Sequence, residues 1–333
     1  MSAAPLPVVF EPLYVRKPWG GRRLAALLNK SLPPNQPIGE SWELVSLPGH
    51  ESRVRGGVLA GWTLAALVDA WASDLLGGVA RVEGRFPLLI KFLDARENLS
   101  VQVHPKPGSG ARGVKHEAWY IVQADPGAKL YVGLKPGVRP EDVKRVVNTP
   151  ALIDLLREWP AEPGGCYYLP SGTPHALGAG IVVAEIQTPS DVTYRMYDWG
   201  RVDADGRPRE LHVAEALANV RYDVTKEMVR PSAATIQTAT TPPIAATRVA
   251  TCERFVIDHV TVRVGDRFVL AGGRMRVWII LDGAGRLTCE DEPAGECRFA
   301  CGDVVLIPAA CTSRVEPTAE IRLLEVSAAP SGS

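Results

Sequence analysis

Residues 88–105 read LLIKFLDARENLSVQVHP, and this stretch decides the fold. Its first part is a short apolar run with the length of a β-strand, and polar turn residues follow. From Leu99 onward, apolar and polar residues alternate, which is typical of a second strand with two different faces. One face carries Leu99, Val101 and Val103, and the other carries Ser100, Gln102 and His104. A protein core explains the apolar face. The amide and the imidazole on the opposite face indicate either a solvated surface or a binding cavity.

Short apolar runs bounded by turn residues recur along the whole chain and predict many strands. The clearest are KHEAWYIVQ, CYYLPSG, GIVVAEIQT, VTYRMYDWG, RFVIDHVTV, RVWIILDGAG and GDVVLIPAA. Helical spacing of apolar residues is restricted to residues 63–78, 140–159 and 209–220. We therefore predict a mainly β protein, a sandwich or barrel that carries a small helical insertion near residues 140–160.

A chain of 333 residues is long enough for two domains. The composition shifts between residues 220 and 250, which predicts a linker and a division into residues 1–235 and 236–333. Residues 302–311, GDVVLIPAAC, echo residues 164–175, GGCYYLPSGTPH, as in a duplicated β-barrel. The first copy runs on to a histidine, whereas the second continues with Cys311 and Thr312. We expect only the first domain to carry a metal site.

The composition limits the partners that we expect. Lysine plus arginine equals aspartate plus glutamate, 37 of each, so no global charge favours nucleic acid or an anionic membrane. The N-terminal residues do not resemble a signal peptide and no apolar run is long enough to span a bilayer, so we expect a cytoplasmic protein. None of the six cysteines forms a CxxC pair. Buried free thiols are expected, with a disulfide in the C-terminal cluster as the alternative. Monomer and dimer both stay open.

Four residues on the predicted strands could bind a metal ion: Gln102, His104, Glu117 and His175. Two imidazoles, one carboxylate and one weak amide ligand suit a zinc ion that keeps a position open for substrate, and iron(II) would fit almost as well. The alternation in KHEAWYIV places Glu117 and Lys115 on one face and His116 on the other. We therefore expect a structural role for His116.

The segments QVHP, PSGTPHALG and YRMYDWGR, in this order and spacing, resemble the type I phosphomannose isomerases in their short bacterial and archaeal form. The resemblance runs from Val8 to the last strand. It implies a cupin fold with a catalytic β-barrel and a degenerate C-terminal barrel. It also implies one zinc ion per chain with Gln102, His104, Glu117 and His175 as its ligands, and Arg195 as the catalytic arginine.

The implied reaction interconverts mannose 6-phosphate and fructose 6-phosphate by moving a proton from C2 to C1. Lys91, Lys115 and Ser100 are candidates for binding the substrate's phosphate or hydroxyl groups, since a lysine in an apolar strand is costly unless it is paired. Glu185 and Gln187 share one face of VVAEIQT. Gln187 is a candidate substrate ligand, and Glu185 either acts as the general base or orients a metal ligand.

Two other functions and two mechanisms stay open at this point. The site could belong to an iron(II) cupin oxygenase or to a non-catalytic sugar-binding cupin module. Within the isomerase, the sequence allows either proton transfer through an enediol or a metal-assisted hydride shift. In either mechanism, Lys115 and Arg195 would bind negative charge on the substrate's oxygens.

Overall fold

The computed structural model describes residues 5–108, 113–202, 205–223, 234–238, 240–242, 244–290 and 295–329. Strands dominate these ranges, so the mainly β prediction is confirmed. None of the helices within the described ranges is both long and apolar enough to cross a membrane.

The first half of the chain forms two facing sheets, which we call the first sandwich. Its six-stranded sheet has the order β11 (Cys166–Leu169), β8 (Glu117–Ala124), β13 (Ile181–Gln187), β6 (Leu89–Ala95), β2 (Leu13–Gly21) and β3 (Ile38–Leu44). Its five-stranded sheet has the order β10 (Leu156–Pro160), β9 (Lys129–Leu134), β12 (His175–Leu177), β7 (Val101–Val103) and β14 (Tyr194–Tyr197). Apolar side chains from both sheets, including Trp119, Ile121 and Val132, fill the space between them.

The second half forms another pair of sheets, the second sandwich. Its seven-stranded sheet has the order β1 (Val8–Val9), β23 (Val304–Ile307), β20 (Arg276–Asp282), β25 (Ile321–Ala328), β18 (Phe255–Val262), β17 (Ala245–Thr251) and β15 (Ala234–Gln237). Its five-stranded sheet has the order β16 (Thr240–Thr241), β19 (Phe268–Leu270), β24 (Ser313–Pro317), β21 (Ala284–Cys289) and β22 (Glu296–Ala300). A short hairpin, β4 (Ser46–Leu47) and β5 (His50–Glu51), stands apart.

The largest core cluster lies between the six-stranded and the seven-stranded sheets, so the molecule is a stack of four sheets. Each sandwich consists of two open sheets packed face to face, and the described strands do not close into one hydrogen-bonded ring. Part of the predicted linker is ordered, since β15, β16 and β17 extend the second sandwich. Residues 224–233 of that linker lie outside the described residues.

The helices are short and follow the periodicity of the sequence. They are α1 (Arg23–Leu28), α2 (Leu64–Ala70), α3 (Ala72–Leu76), α4 (Pro140–Val146) and α5 (Val213–Asn219), with 3-10 turns at Gly57–Leu59 and Pro150–Leu155. The helix predicted over residues 63–78 is interrupted at Trp71 and ends at Gly77, whose left-handed conformation is readily adopted by glycine. The insertion near 140–160 packs with α5 on the outer face of β7, against Val101 and Val103.

The internal similarity predicted from the sequence is confirmed by the sheet topology. In the first sandwich the strand order is β11, β8, β13, β6, and in the second it is β23, β20, β25, β18. The two echoing segments contribute β11 and β23, which hold the same place in their sheets. The opposite sheets repeat as well, because β12 lies between β7 and β9 as β24 lies between β19 and β21.

The cysteines match the expectation of free thiols. All six are unbridged, and Cys166, Cys289, Cys297 and Cys311 are buried. Burial raises the pKa of Cys166 to about 12, so this thiol stays protonated at neutral pH. The cysteines therefore pack as small apolar side chains.

Candidate functional site

Three predicted ligands meet inside the first sandwich. His104 Nε2 lies 3.2 Å from Glu117 Oε2, and His175 Nε2 lies 3.1 Å from Glu117 Oε1. All three side chains are almost fully inaccessible to solvent. Strands β7, β8 and β12 bring them together, because His175 pairs with Gln102 across the sheet and Glu117 begins the facing strand. Two imidazoles and one carboxylate therefore converge on one point.

The two histidines are oriented by backbone carbonyl groups. His104 Nδ1 lies 2.9 Å from the carbonyl oxygen of Val192, and His175 Nδ1 lies 2.8 Å from that of Thr173. A carbonyl oxygen can only accept, so each Nδ1 carries a proton and Nε2 is the ring nitrogen that faces Glu117. This arrangement is characteristic of histidines that bind a metal ion.

The charges agree with an uncharged His104 ring facing a carboxylate. Burial, together with the ammonium of Lys115, lowers the pKa of His104 to about 3, so the ring is uncharged at neutral pH. Burial opposes ionisation of Glu117, but the ammonium of Lys115 at 2.8 Å holds the pKa of this carboxyl well below its usual range. Burial would lower the pKa of Lys115, yet Glu117 and Glu185 raise it. The contact between Glu117 and His104 is therefore a contact between two acceptors.

This cluster fits a divalent metal ion. His104 Nε2 and Glu117 Oε1 are buried without a hydrogen-bond partner in the described residues, which is costly unless a cation satisfies them, while Glu117 Oε2 contacts the Lys115 ammonium at 2.8 Å. The donor atoms lie within 4.8 Å of one another. A tetrahedral ion with ligands at about 2.0 to 2.1 Å would separate them by about 3.3 Å, close to the distances from Glu117 to the two histidines.

The fourth predicted ligand, Gln102, lies beside the cluster. Its Nε2 is 3.3 Å from His175 Nε2, and its Oε1 accepts a hydrogen bond from Ser100 at 3.3 Å. The amide therefore presents its nitrogen to the cluster in this structure. A rotation of the amide by 180° would present the oxygen, because the two ends are almost identical in shape.

A cavity of about 360 Å³, within the size range of small-molecule sites, adjoins the cluster, because Gln102 and Lys115 both line the cavity and contact the cluster. His104, Glu117 and His175 themselves are not among the lining residues. The cavity contains six of the residues singled out from the sequence, Lys91, Ser100, Gln102, Lys115, Glu185 and Arg195. Gln187 is not among the lining residues. Its amide nitrogen donates to the carbonyl groups of Thr188 at 3.1 Å and Ser190 at 2.5 Å, which stabilises the turn after β13.

One wall of the cavity carries a buried pair of opposite charges. Lys91 Nζ lies 3.3 Å from Glu185 Oε1 and 4.6 Å from the ring centre of Trp42. The other oxygen of Glu185 accepts a hydrogen bond from Trp119 at 2.9 Å, and Trp119 packs edge-on against His175. Lys91, a predicted substrate ligand, is thus paired with Glu185 in this structure. Glu185 is connected to His175, a candidate metal ligand, through one aromatic side chain.

Arg195 lies on β14, directly opposite Gln102 in the sheet. It is half-buried, and its Nη1 donates to the carbonyl oxygen of Glu210 at 2.7 Å. The nearby carboxylate of Asp198 accepts hydrogen bonds from Arg201 and Arg209. The Arg195 side chain lines the cavity.

The cavity is also lined by residues that had no predicted role, among them Lys17, Glu40, Trp42, His50 and Arg209. Glu40 accepts hydrogen bonds from Trp42 at 2.6 Å and pairs with Lys17 at 3.1 Å. The position of Glu40 in the largely apolar strand IGESWEL could have identified it in the same way as Lys91, because a buried charge requires a partner. No comparable signal distinguished Lys17, His50 or Arg209.

The chain matches known proteins along most of its length. Residues 9–127 match the family model for the catalytic domain of type I phosphomannose isomerase. The mannose-6-phosphate isomerase ManA of Bacillus subtilis is 38% identical over 218 residues, which cover 63% of this chain and 67% of that protein. The mannose-6-phosphate isomerase of Streptococcus mutans is 37% identical over 217 residues, or 62% and 67% of the two chains.

The folded structure agrees with the sequence comparison. The crystal structure of mannose 6-phosphate isomerase from Bacillus subtilis superposes with a TM-score of 0.82 at 29% identity, and the match covers 97% of this chain and 99% of that one. The segment that matches the family model contains Gln102, His104 and Glu117. The chain belongs to the type I phosphomannose isomerase family.

Proposed function

We propose that this protein is a zinc-dependent isomerase that interconverts mannose 6-phosphate and fructose 6-phosphate. The observation that carries the proposal is the convergence of His104, Glu117 and His175 beside a polar cavity, in a chain of this family. We assign the metal site to the first domain, residues 1–235. No second cluster of such ligands occurs among the described residues, so residues 236–333 have a structural role.

His104, Glu117 and His175 would hold the ion, with Gln102 as the fourth ligand after rotation of its amide. Neutral imidazoles and a carboxylate suit zinc, which we propose as one ion per chain. When bound, the ion would act as a Lewis acid toward the oxygens at C1 and C2 of the sugar.

The surrounding residues provide the proton transfer and bind the charged substrate. Glu185 lines the cavity and we propose it as the base that removes the C2 proton, with Lys91 beside it to balance its charge. Lys115 is a buried cation that also faces the cavity, so it can donate hydrogen bonds to the sugar oxygens as they become negative. Ser100 offers a hydroxyl group, and Arg195 offers a permanent cation to an anionic oxygen of the substrate.

Gln187 is the predicted substrate ligand whose position supports a different role. Its amide nitrogen is fully used by the turn after β13. We propose that Gln187 positions this turn, whose later residue Val192 accepts the hydrogen bond from His104. A phosphorylated sugar does not cross membranes unaided, so we also propose a cytoplasmic location.

The test is turnover of mannose 6-phosphate to fructose 6-phosphate by chelator-treated protein, before and after addition of zinc. We expect activity to disappear with the chelator and to return with zinc but not with magnesium, because magnesium prefers six oxygen ligands. The absence of turnover in protein shown to contain zinc would contradict the proposed substrate. Oxygen consumption by iron-loaded protein would then favour the oxygenase alternative, which two histidines and one carboxylate also permit.

A further inference from the structure

A cluster of arginines at one end of the cavity is not explained by the proposed chemistry at the metal. Arg195 and Arg209 both line the cavity. Arg209 donates to both oxygens of Asp198, through Nε at 2.7 Å and Nη2 at 2.5 Å. Arg201 donates to the same carboxylate at 2.5 Å and to the carbonyl oxygen of Asn98. Two guanidinium groups therefore share one nearly buried carboxylate, and the third, that of Arg195, does not pair with it.

The other cations of the cavity each have their own carboxylate. Lys17 pairs with Glu40, Lys91 with Glu185, and Lys115 with Glu117. At the arginine end, Asp198 alone lies within hydrogen-bond distance of the guanidinium groups in the described residues. The positive charge that remains unbalanced in the cavity is thus concentrated at this end.

Other acidic groups near the arginines do not remove this excess. Glu97 is 4.0 Å from Arg201 but closer to Arg96, at 3.2 Å. Asp191 lies on the exposed rim of the cavity. The carboxyl group of Glu210 is exposed, and only its carbonyl oxygen contacts Arg195.

Unused donors of the two lining arginines remain available to a ligand. Nε of Arg195 is buried and has no hydrogen-bond partner within the described ranges. Nη1 of Arg209 makes no hydrogen bond to the described residues, while Asp198 holds the rest of its guanidinium plane in place. A pre-oriented guanidinium group binds phosphate oxygens through parallel hydrogen bonds, which suits a dianionic ligand better than a sugar hydroxyl.

We propose that Arg209, oriented by Asp198, joins Arg195 in binding the phosphate group of the substrate and so makes the enzyme selective for phosphorylated sugars. This inference rests on the proposed isomerase function and deepens it. Arg195 lies opposite Gln102 across β14 and β7. A sugar whose phosphate group binds the arginines would therefore direct its other end, with C1 and C2, toward the candidate metal ligands. Arg209 is a substrate-binding residue, and Asp198 is a positioning residue.

The test compares Arg209→Met with Arg207→Ala, a control that removes an exposed arginine from the same loop outside the cavity. The readouts are kcat and KM for mannose 6-phosphate, kcat/KM for unphosphorylated mannose, and competitive inhibition by inorganic phosphate. We expect Arg209→Met to lower kcat/KM for mannose 6-phosphate by about 10- to 100-fold, mainly through KM. Inhibition by phosphate should weaken in parallel, the kcat/KM for mannose should not change, and the control should resemble the parent protein.

Two further variants separate binding from folding. Arg209→Lys keeps the charge but not the paired donors, so it should recover only part of the lost affinity. Asp198→Asn should raise KM less than Arg209→Met does. The double variant should have the same KM as Arg209→Met alone, because Asp198 acts through Arg209. Unchanged phosphate inhibition in Arg209→Met and Arg209→Lys would overturn the inference while leaving the isomerase function intact. An inactive zinc-loaded parent protein would instead contradict the isomerase function itself.

Discussion

The two sandwiches share a strand order, but within the described residues only the first contains a cluster of side chains that could hold a metal ion. Glu117 lies opposite Leu169 on the neighbouring strand, and Arg276 lies opposite Ile307 at the same place in the second sandwich. A carboxylate that could hold a metal ion in one copy is thus replaced by a side chain that is itself a cation. Arg276 is buried and pairs with Glu325 at 3.6 Å.

At the positions of the other candidate ligands, the second copy also lacks side chains that could hold a metal ion. His175 begins β12 and Ser313 begins β24. Their partners on the neighbouring strands are Gln102 and Leu270. The second copy therefore has a hydroxyl and an aliphatic group where the first has an imidazole and an amide, and an apolar core fills its interior.

One feature is common to both copies. Trp119 donates to Glu185 across β8 and β13, and Trp278 donates to Glu325 across β20 and β25, both at 2.9 Å. Since the pair also occurs in the sandwich without the cluster, a tryptophan–glutamate pair belongs to the shared architecture. In the first copy the glutamate of this pair, Glu185, also lines the cavity, so it can take part in the proposed reaction. Paired substitutions in the two copies can therefore separate function from architecture.

The largest difference is expected at the histidine position. His175→Ala should abolish binding of the metal and lower turnover by on the order of 1,000-fold or more, because a ligand is lost. Ser313→Ala, its counterpart, should retain metal binding and turnover and cost about 1 kcal/mol of unfolding free energy at most, since the Ser313 hydroxyl makes a weak hydrogen bond with Cys311 Sγ at 3.1 Å. Metal content and turnover measure both effects. Loss of metal in Ser313→Ala would show that the second copy supports the site directly.

A smaller difference is expected at the shared glutamate. Glu185→Gln should lower kcat by about 100- to 10,000-fold, the usual contribution of a general base, with metal content unchanged. Glu325→Gln should leave kcat unchanged and lower the unfolding free energy by about 1 to 3 kcal/mol, because Arg276 and Arg274 lose their carboxylate. Steady-state kinetics and urea unfolding distinguish the two outcomes. A normal kcat in Glu185→Gln would exclude Glu185 as the base.

The smallest difference is expected at the tryptophans. Trp119→Phe and Trp278→Phe each remove one hydrogen bond to a glutamate, and each should cost about 1 kcal/mol of unfolding free energy. Only Trp119→Phe should also lower kcat, by about 10-fold, since Glu185 and His175 both contact this ring. Equal kinetic effects of the two substitutions would remove the distinction between the copies.

Much of this site could be predicted from the sequence, because the alternation of apolar and polar residues shows which side chains share one face of a strand. The pattern around LSVQVHP and KHEAWYIV placed Gln102, His104 and Glu117 on inward faces, and the structure brings the last two together with His175. The mainly β fold and the duplication followed from equally local patterns. The resemblance to a known family then gave these residues their expected roles.

The remaining features depend on contacts between distant parts of the chain. Glu40 and Lys17 reach the cavity from the first strands of the chain, and Arg209 reaches it from a loop. Gln187 shares a strand face with Glu185, but the turn after β13 uses its amide. Alternation gives the direction of a side chain within its strand but not the group that it meets there.

The short strand β1 has a consequence for how the chain is made. Val8 pairs with Leu306, so β1 forms the edge of a sheet whose neighbouring strand is synthesised much later. Contacts this distant in sequence form slowly. During synthesis, the first sandwich can assemble around its cavity while β1 still lacks β23. A chain that stops before β23 would leave this valine pair as a sheet edge open to other chains, so β1 is exposed to aggregation until β23 has been synthesised.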